Sequence, residues 1–195
     1  ALSFRGMFPQ YQIGSEIGVS QATVGNWQRG IYMPQKISKK LVKLKLPDRV
    51  VVTPSLMKLF GYYTAEGRGA ECLEFAFSIK EKEYVEEVVH LMREIFEIEN
   101  PKLRFTDTNS VKVIYHSADL GRFFAEHCGN GSHNKHVPNF IWDLPYEYFI
   151  AFLRGYSNGD GYTTKTGKLC MTSVSQRLIR GVAWLCSLHG IKVGI

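Results

Sequence analysis

Cysteine is scarce and scattered in this chain: Cys72, Cys128, Cys170 and Cys186 are far apart, and no two form a Cys-x-x-Cys pair. That spacing argues against a disulfide framework or a zinc knuckle, so no structural metal is expected. No apolar run approaches the roughly 20 residues needed to span a bilayer. The first residues also lack the basic-then-apolar layout of a secretory signal. No membrane partner is expected, and the expected address is the cytoplasm, or the nucleus in a eukaryote. What is present is a 195-residue chain that is 45% hydrophobic, enough for one ordinary core plus a small appended domain.

The net charge of +6 is concentrated at one end. Residues 1–50 hold eight Lys and Arg against Glu16 and Asp48, while the other 145 residues hold sixteen of each sign. A compact basic segment beside a neutral body suits a domain that tracks phosphates, although a solvated basic helix carries the same charge. Within it, the pattern predicts a helix over 10–17, a turn at Gly18, and a second helix capped by Ser20 and ending before Gly30. Val24 and Trp27, three apart, would face inward, leaving Gln21, Asn26 and Gln28 outward with Arg29 at the end. The string IGSEIGVSQATVGNWQRG resembles a helix-turn-helix DNA-binding unit, whose second helix enters the major groove. The resemblance implies DNA contacts by Gln21, Asn26 and Arg29, with Lys36, Lys39 and Lys40 of a basic helix expected over 36–45 adding phosphate contacts. A small helical packing domain is the alternative. Pro47 and Pro54 mark the expected boundary, which gives a basic helical domain over 1–50.

The remainder contains an internal repeat. LFGYYTAEG at 59–67 and LRGYSNGDG at 153–161 are offset by 94 residues and share a leucine, a glycine, a tyrosine and a carboxylate followed by glycine. Each copy leads into an apolar strand (CLEFAFSI, KLCMTSV) and then a helix, over about 80–97 and 175–189. The first copy continues with strands over 103–106 and 111–116 and a helix over 117–128, so the repeat is an α/β unit, first copy 51–144 and second 145–195.

Both motif segments read as amphipathic helices. Ser55 is the expected cap of the first, with Leu56, Leu59, Phe60 and Tyr63 on one face; Pro145 opens the second, with Phe149, Phe152, Leu153 and Tyr156. Gly61 and Gly155 lack a Cβ, so two such helices could pack with their backbones unusually close. Each helix ends immediately after an acid, Glu66 or Asp160, so parallel pairing would deliver both carboxylates to one end. Two carboxylates that close resist joint ionisation unless a divalent cation sits between them. Oxygen-only ligation suits Mg²⁺, with Mn²⁺ as its substitute.

These paired segments resemble the motif helices of LAGLIDADG (dodecapeptide, DOD-type) homing endonucleases, in particular the double-motif kind found inside archaeal and yeast inteins. The resemblance implies an α/β (α+β) fold of two pseudo-twofold αββαββα halves meeting at the motif helices. It implies that the eighth motif residues, Glu66 and Asp160, are catalytic and metal-binding. Gly131 to Pro138 (GSHNKHVP) resembles the Lys-x-Ile-Pro segment of the intein-type enzymes, which implies a catalytic Lys135, 25 residues before Asp160. The implied function is metal-dependent double-strand cleavage of DNA at a long recognition site.

The family binds DNA through a saddle of strands with its outer helices facing away. Residues 81–99 hold seven acids against Lys82 and Arg93, which suits an outward helix, while Lys80, Lys102, Arg104 and Lys112 are expected on strands facing DNA. Only 35 residues follow Asp160, so the second half is expected to be incomplete and the remainder of a larger intein or host polypeptide is an expected partner. Splicing by this chain itself is not expected. The alternatives are a LAGLIDADG-fold transcription regulator without cleavage and an RNA maturase.

Overall fold

The computed structural model describes residues 9–29 and 46–194, and the chain separates into two compact units, residues 1–43 and 44–195. Lys36, Lys39 and Lys40, with the basic helix expected over 36–45, lie outside the described residues.

In the first unit, α1 (Gln10–Ile17) and α2 (Gln21–Gln28) are joined at Gly18, which adopts the left-handed conformation at φ 69°. The Ser20 hydroxyl accepts from the Thr23 amide at 3.2 Å and caps α2. Ile13, Val24 and Trp27 are buried. Gly14 makes this corner possible, since a Cβ there would lie 2.6 Å from the Val19 carbonyl oxygen.

The second unit opens with α3 (Pro54–Glu66), β1 (Gly67–Gly69), β2 (Leu73–Ser78) and α4 (Lys82–Phe96). β3 (Lys102–Phe105), β4 (Ser110–Tyr115) and α5 (Ala118–Cys128) follow. Then come α6 (Tyr146–Asp160), β5 (Gly161–Thr163), β6 (Leu169–Met171) and α7 (Gln176–Leu188). Thus helix, strand, strand, helix occurs twice, and ββα extends the first copy. The cap of α3 is Thr53 rather than Ser55: its hydroxyl accepts from the Leu56 amide at 3.1 Å. Pro54 occupies the first helical position, where its missing N–H and fixed φ are no handicap, and this moves the cap back to Thr53.

The larger sheet is antiparallel in the order β1-β2-β4-β3, and β5 pairs with β6 separately. Strand alternation gives the larger sheet two distinct faces. Leu73, Phe75, Phe77, Val111 and Val113 point into the core, where Phe124 of α5 meets Phe60 and Tyr63 of α3 at ring separations of 5.3 and 5.2 Å. Burying each such phenyl ring contributes about 2–3 kcal/mol. Register puts Arg68, Glu74, Lys112 and Arg104 on the opposite face, with Arg68 opposite Glu74 and Arg104 opposite Lys112. Helix α4 buries Val88, Leu91, Met92 and Phe96 at helical spacing and turns Glu83, Glu86 and Glu94 outward. Among the described residues no helix is long and apolar enough to cross a membrane.

Candidate active site

The site begins with a contact between two backbones. Among the described elements, helices α3 and α6 form the most extensive contact. A Cβ on Gly61 would stand 2.1 Å from the Phe152 carbonyl oxygen, and one on Gly155 would stand 2.0 Å from that of Lys58. Side chains of any size would hold the helices apart here. The contact continues to the helix ends, where a Cβ on Gly159 would lie 2.5 Å from the Ala65 Cβ and 2.9 Å from the Glu66 Cγ. Small residues at 65 and 159 therefore let the last turns, and the acids they carry, come together.

Glu66 is the last residue of α3 and Asp160 the last of α6. Each is followed by a glycine that begins a strand. At Gly67 a Cβ would fall 2.2 Å from the Tyr63 ring, and at Gly161 2.3 Å from the Ser157 carbonyl oxygen, so only glycine lets the chain turn back over its own helix. Both acids line a cavity of about 520 Å³, together with Thr64, Ser132, Lys135, Thr172 and Ser173.

Lys135 reaches this cavity from between α5 and α6, and it is buried despite its charge. Its ammonium donates to the carbonyls of Tyr63 (2.6 Å) and Gly67 (2.8 Å) at the C-terminal end of α3, and it sits 3.5 Å above the centre of the Tyr63 ring. Carbonyls at a helix C-terminus carry partial negative charge, and an aromatic face attracts a cation, so the position suits an ammonium. The backbone behind it is fixed. Its carbonyl accepts from the Ser175 hydroxyl at 2.6 Å, and the next amide, His136 N–H, donates to the Cys128 carbonyl at 3.0 Å.

Burial sets the protonation of all three groups. It raises the Glu66 carboxyl to about 7, helped by the charges of Asp160 and Glu81 and opposed by Lys135. Asp160 rises to about 6, again mainly by burial against the pull of Lys135. Lys135 falls to about 7 because burial outweighs its acidic neighbours Cys128, Asp160 and Glu66. Near neutral pH the three groups compete for protons, a situation typical of reactive sites. The donor set is two carboxylates; among the described residues no group of three His, Cys, Asp or Glu could hold a metal ion.

The other sequence-predicted residues lie elsewhere. Gln21 and Arg29 are exposed on the first unit, and the Asn26 side-chain oxygen accepts from Arg29 at 2.7 Å. Gln28 does not point freely outward: its side-chain oxygen accepts from Gln10 at 3.0 Å. Arg104 and Lys112 share the solvent face of the larger sheet, and Lys112 pairs with Glu74 at 2.6 Å. Lys80, expected on a strand, lies in the turn after β2. The strand stops at Ser78 because the Glu81 carboxylate accepts its amide at 2.8 Å and draws the chain into the start of α4. Sequence reasoning missed Arg68 on the same face, since Gly67–Gly69 carries no strand signal. It also missed Tyr63 as the seat of Lys135, because the two are 72 residues apart.

The family described as LAGLIDADG-like domain matches residues 147–195. An uncharacterised protein of Methanocaldococcus jannaschii is 28% identical over 135 residues, 66% of this chain and 17% of that protein. An iron-sulfur cluster assembly SufBD family protein of Mycobacterium bovis is 29% identical over 125 residues, 62% of this chain and 15% of that protein. The chain therefore spans less than a fifth of the length of these curated relatives. A crystal structure of an I-DmoI variant, in complex with its target DNA and in the presence of manganese, superposes with a TM-score of 0.51 at 15% identity. That match covers 71% of this chain and 77% of the other. Residues 147–195 thus match the LAGLIDADG-like domain family, and the chain shares the fold of I-DmoI.

Proposed function

We propose that this chain is the DNA-cleaving module of a homing endonuclease, hydrolysing both strands of a long duplex site with Mg²⁺ or Mn²⁺ held by Glu66 and Asp160. The observation that carries the reading is the delivery of these two carboxylates, by helices in backbone contact, into one cavity that also holds a buried lysine. Other features support it. A cation fits the residues present: burial disfavours both carboxylates, Asp160 further disfavours ionised Glu66, and Lys135 spends two of its three donors on carbonyls. The structural neighbour was crystallised with target DNA and manganese.

When bound, the cation would supply Lewis-acid polarisation of the scissile phosphate. Glu66 and Asp160 would hold it, and the contact at Gly61 and Gly155 would fix their spacing. Lys135 retains one donor for a phosphate oxygen or for the attacking water, and its lowered pKa lets it take or give a proton near neutrality. The basic face bearing Arg68, Lys102, Arg104 and Lys112 would track the duplex, with Lys80 at its margin, and α2 of the first unit would add contacts through Gln21, Asn26 and Arg29. The matched stretch is a small part of relatives whose names do not describe nucleases, which suits a module carried within a larger intein or host polypeptide.

The decisive experiment is cleavage of a duplex library with and without Mg²⁺ or Mn²⁺, with end mapping. Asp160→Asn or Glu66→Gln should abolish cutting while DNA affinity stays within about threefold, because isosteric loss of the ligand charge leaves the binding face intact. An unchanged rate in either variant would sink the assignment. Binding of a defined duplex with no cutting under any metal would instead support a regulator on the same fold.

A further inference from the structure

Helix α4 sends a carboxylate back to the paired motif helices. Lys58 donates to one oxygen of Glu87 and the Tyr62 hydroxyl donates to the other. The Asn158 side-chain amide in turn donates to the Tyr62 oxygen at 2.7 Å. Among the described side-chain hydrogen bonds, this last one alone crosses from α3 to α6. Tyr62 is fully buried, its ring 5.9 Å from Phe77 and 6.0 Å from Tyr84. The cluster stands at the closest approach of the helices, where a Cβ on Gly155 would meet the Lys58 carbonyl oxygen at 2.0 Å and the Tyr62 amide nitrogen at 3.0 Å. Tyr62 is one turn before Glu66, and Asn158 is two residues before Asp160.

Glycine contact sets how closely two helices approach; a buried directional hydrogen bond adds a constraint on their axial register. An ionised Glu87, paired with Lys58, can only accept. The single proton of Tyr62 is therefore committed to Glu87, and position 158 must offer a donor. We propose that Tyr62 is a positioning residue that fixes the axial register of the motif helices, with a polarity set by the carboxylate at 87 and the amide at 158. Its effect on catalysis rests on the endonuclease reading above; its effect on the helix pair does not.

The polarity makes the proposal testable, because it can be reversed. In Asn158→Asp, two carboxylates flank a hydroxyl that owns one proton. When Asn158→Asp is combined with Glu87→Gln, the new amide at position 87 accepts from Lys58 through its oxygen and donates to Tyr62 through its nitrogen. Tyr62 then donates to the new carboxylate at position 158, so every bond returns with the same net charge. Glu87→Gln alone is tolerated if the Asn158 amide turns over to present its oxygen. In thermal melts of the 195-residue chain, Asn158→Asp should lower Tm by about 3–8 °C. Glu87→Gln should lower it by less than about 2 °C. The double variant should recover most of the loss, a favourable coupling between the two positions. On a cleavable duplex, Asn158→Asp should slow cutting by about tenfold or more at unchanged DNA affinity, and the double variant should restore the rate. A double variant no better than Asn158→Asp, in melting and in cutting, overturns the positioning role of Tyr62. A wild-type chain that melts cooperatively but cuts no duplex overturns the endonuclease reading instead, and the positioning role then stands or falls on the melting cycle.

Discussion

At the scale of single residues, Glu66, Asp160 and Lys135 share a problem of desolvation. The two carboxyls lie above their ordinary range in the folded chain, at about 7 and about 6, so between about pH 4 and 7 the folded state binds more protons than the unfolded one. Their contribution to stability is full in acid and is lost as pH rises through those values. Lys135 acts in the other direction: its folded pKa of about 7 lies below the unfolded value, so from about 7 to its ordinary value of 10.5 stability recovers as pH rises. Without divalent ions, the site should thus disfavour the folded state most near neutral pH. Adding Mg²⁺ or Mn²⁺ should raise Tm near pH 7.5 and have little effect near pH 5, where protons occupy the carboxyls. Melting curves at the two pH values, with and without metal, check this; an equal metal effect at both would mean that the ion binds elsewhere.

At the scale of elements, the pairing of α3 with α6 decides the site. Both glycine notches face backbone carbonyls, which cannot swing aside as a flexible side chain can. Gly61→Ala or Gly155→Ala should therefore cost about 1–3 kcal/mol, with Val worse, because the helices must separate to admit the new atoms. Separation also spreads Glu66 and Asp160, whose spacing matters to about half an ångström. Cleavage should fall by a larger factor than stability does, which denaturant titration and rate measurement on the same preparations will show. A variant that loses both in proportion would reduce the notch to ordinary packing.

At the scale of the whole molecule, the two units divide the charge unevenly: residues 1–43 hold six Lys and Arg against Glu16, five of the six net positive charges, and residues 44–195 are close to balanced. In the body, register gathers cations on the outer sheet face, while α4 holds its acids on a helix. If the first unit grips DNA, deleting residues 1–43 should weaken binding and flatten its salt dependence. Each phosphate that the shortened chain no longer neutralises lowers the slope of log K against log[salt] by about 0.9. Affinity measured from low to moderate salt provides the check, and an unchanged slope would leave the unit a packing element.

Much of this was legible in the sequence, for a local reason. Helix α3 is readable from the repeat of Leu56, Leu59, Phe60 and Tyr63, and α6 from Phe149, Phe152 and Tyr156, because apolar spacing acts within one turn. The two nonapeptides mark the glycines and acids by their shared pattern, and Ser20 and Gly18 mark the corner between α1 and α2. Short elements escaped because their cause is distant. β1 and β5 begin with glycine and last three residues, so pairing with β2 and β6 makes them strands, not propensity. Tyr63 carries no sign that its carbonyl will hold Lys135, nor Tyr62 that its hydroxyl will meet Asn158, 96 residues on. The sequence by itself determined which helices are amphipathic, where they end and which carboxylates stand at their ends. Only the tertiary structure decided that those ends meet, which face of the sheet is basic and where the buried lysine is seated, because side-chain pairing across long loops depends on packing that no local pattern encodes.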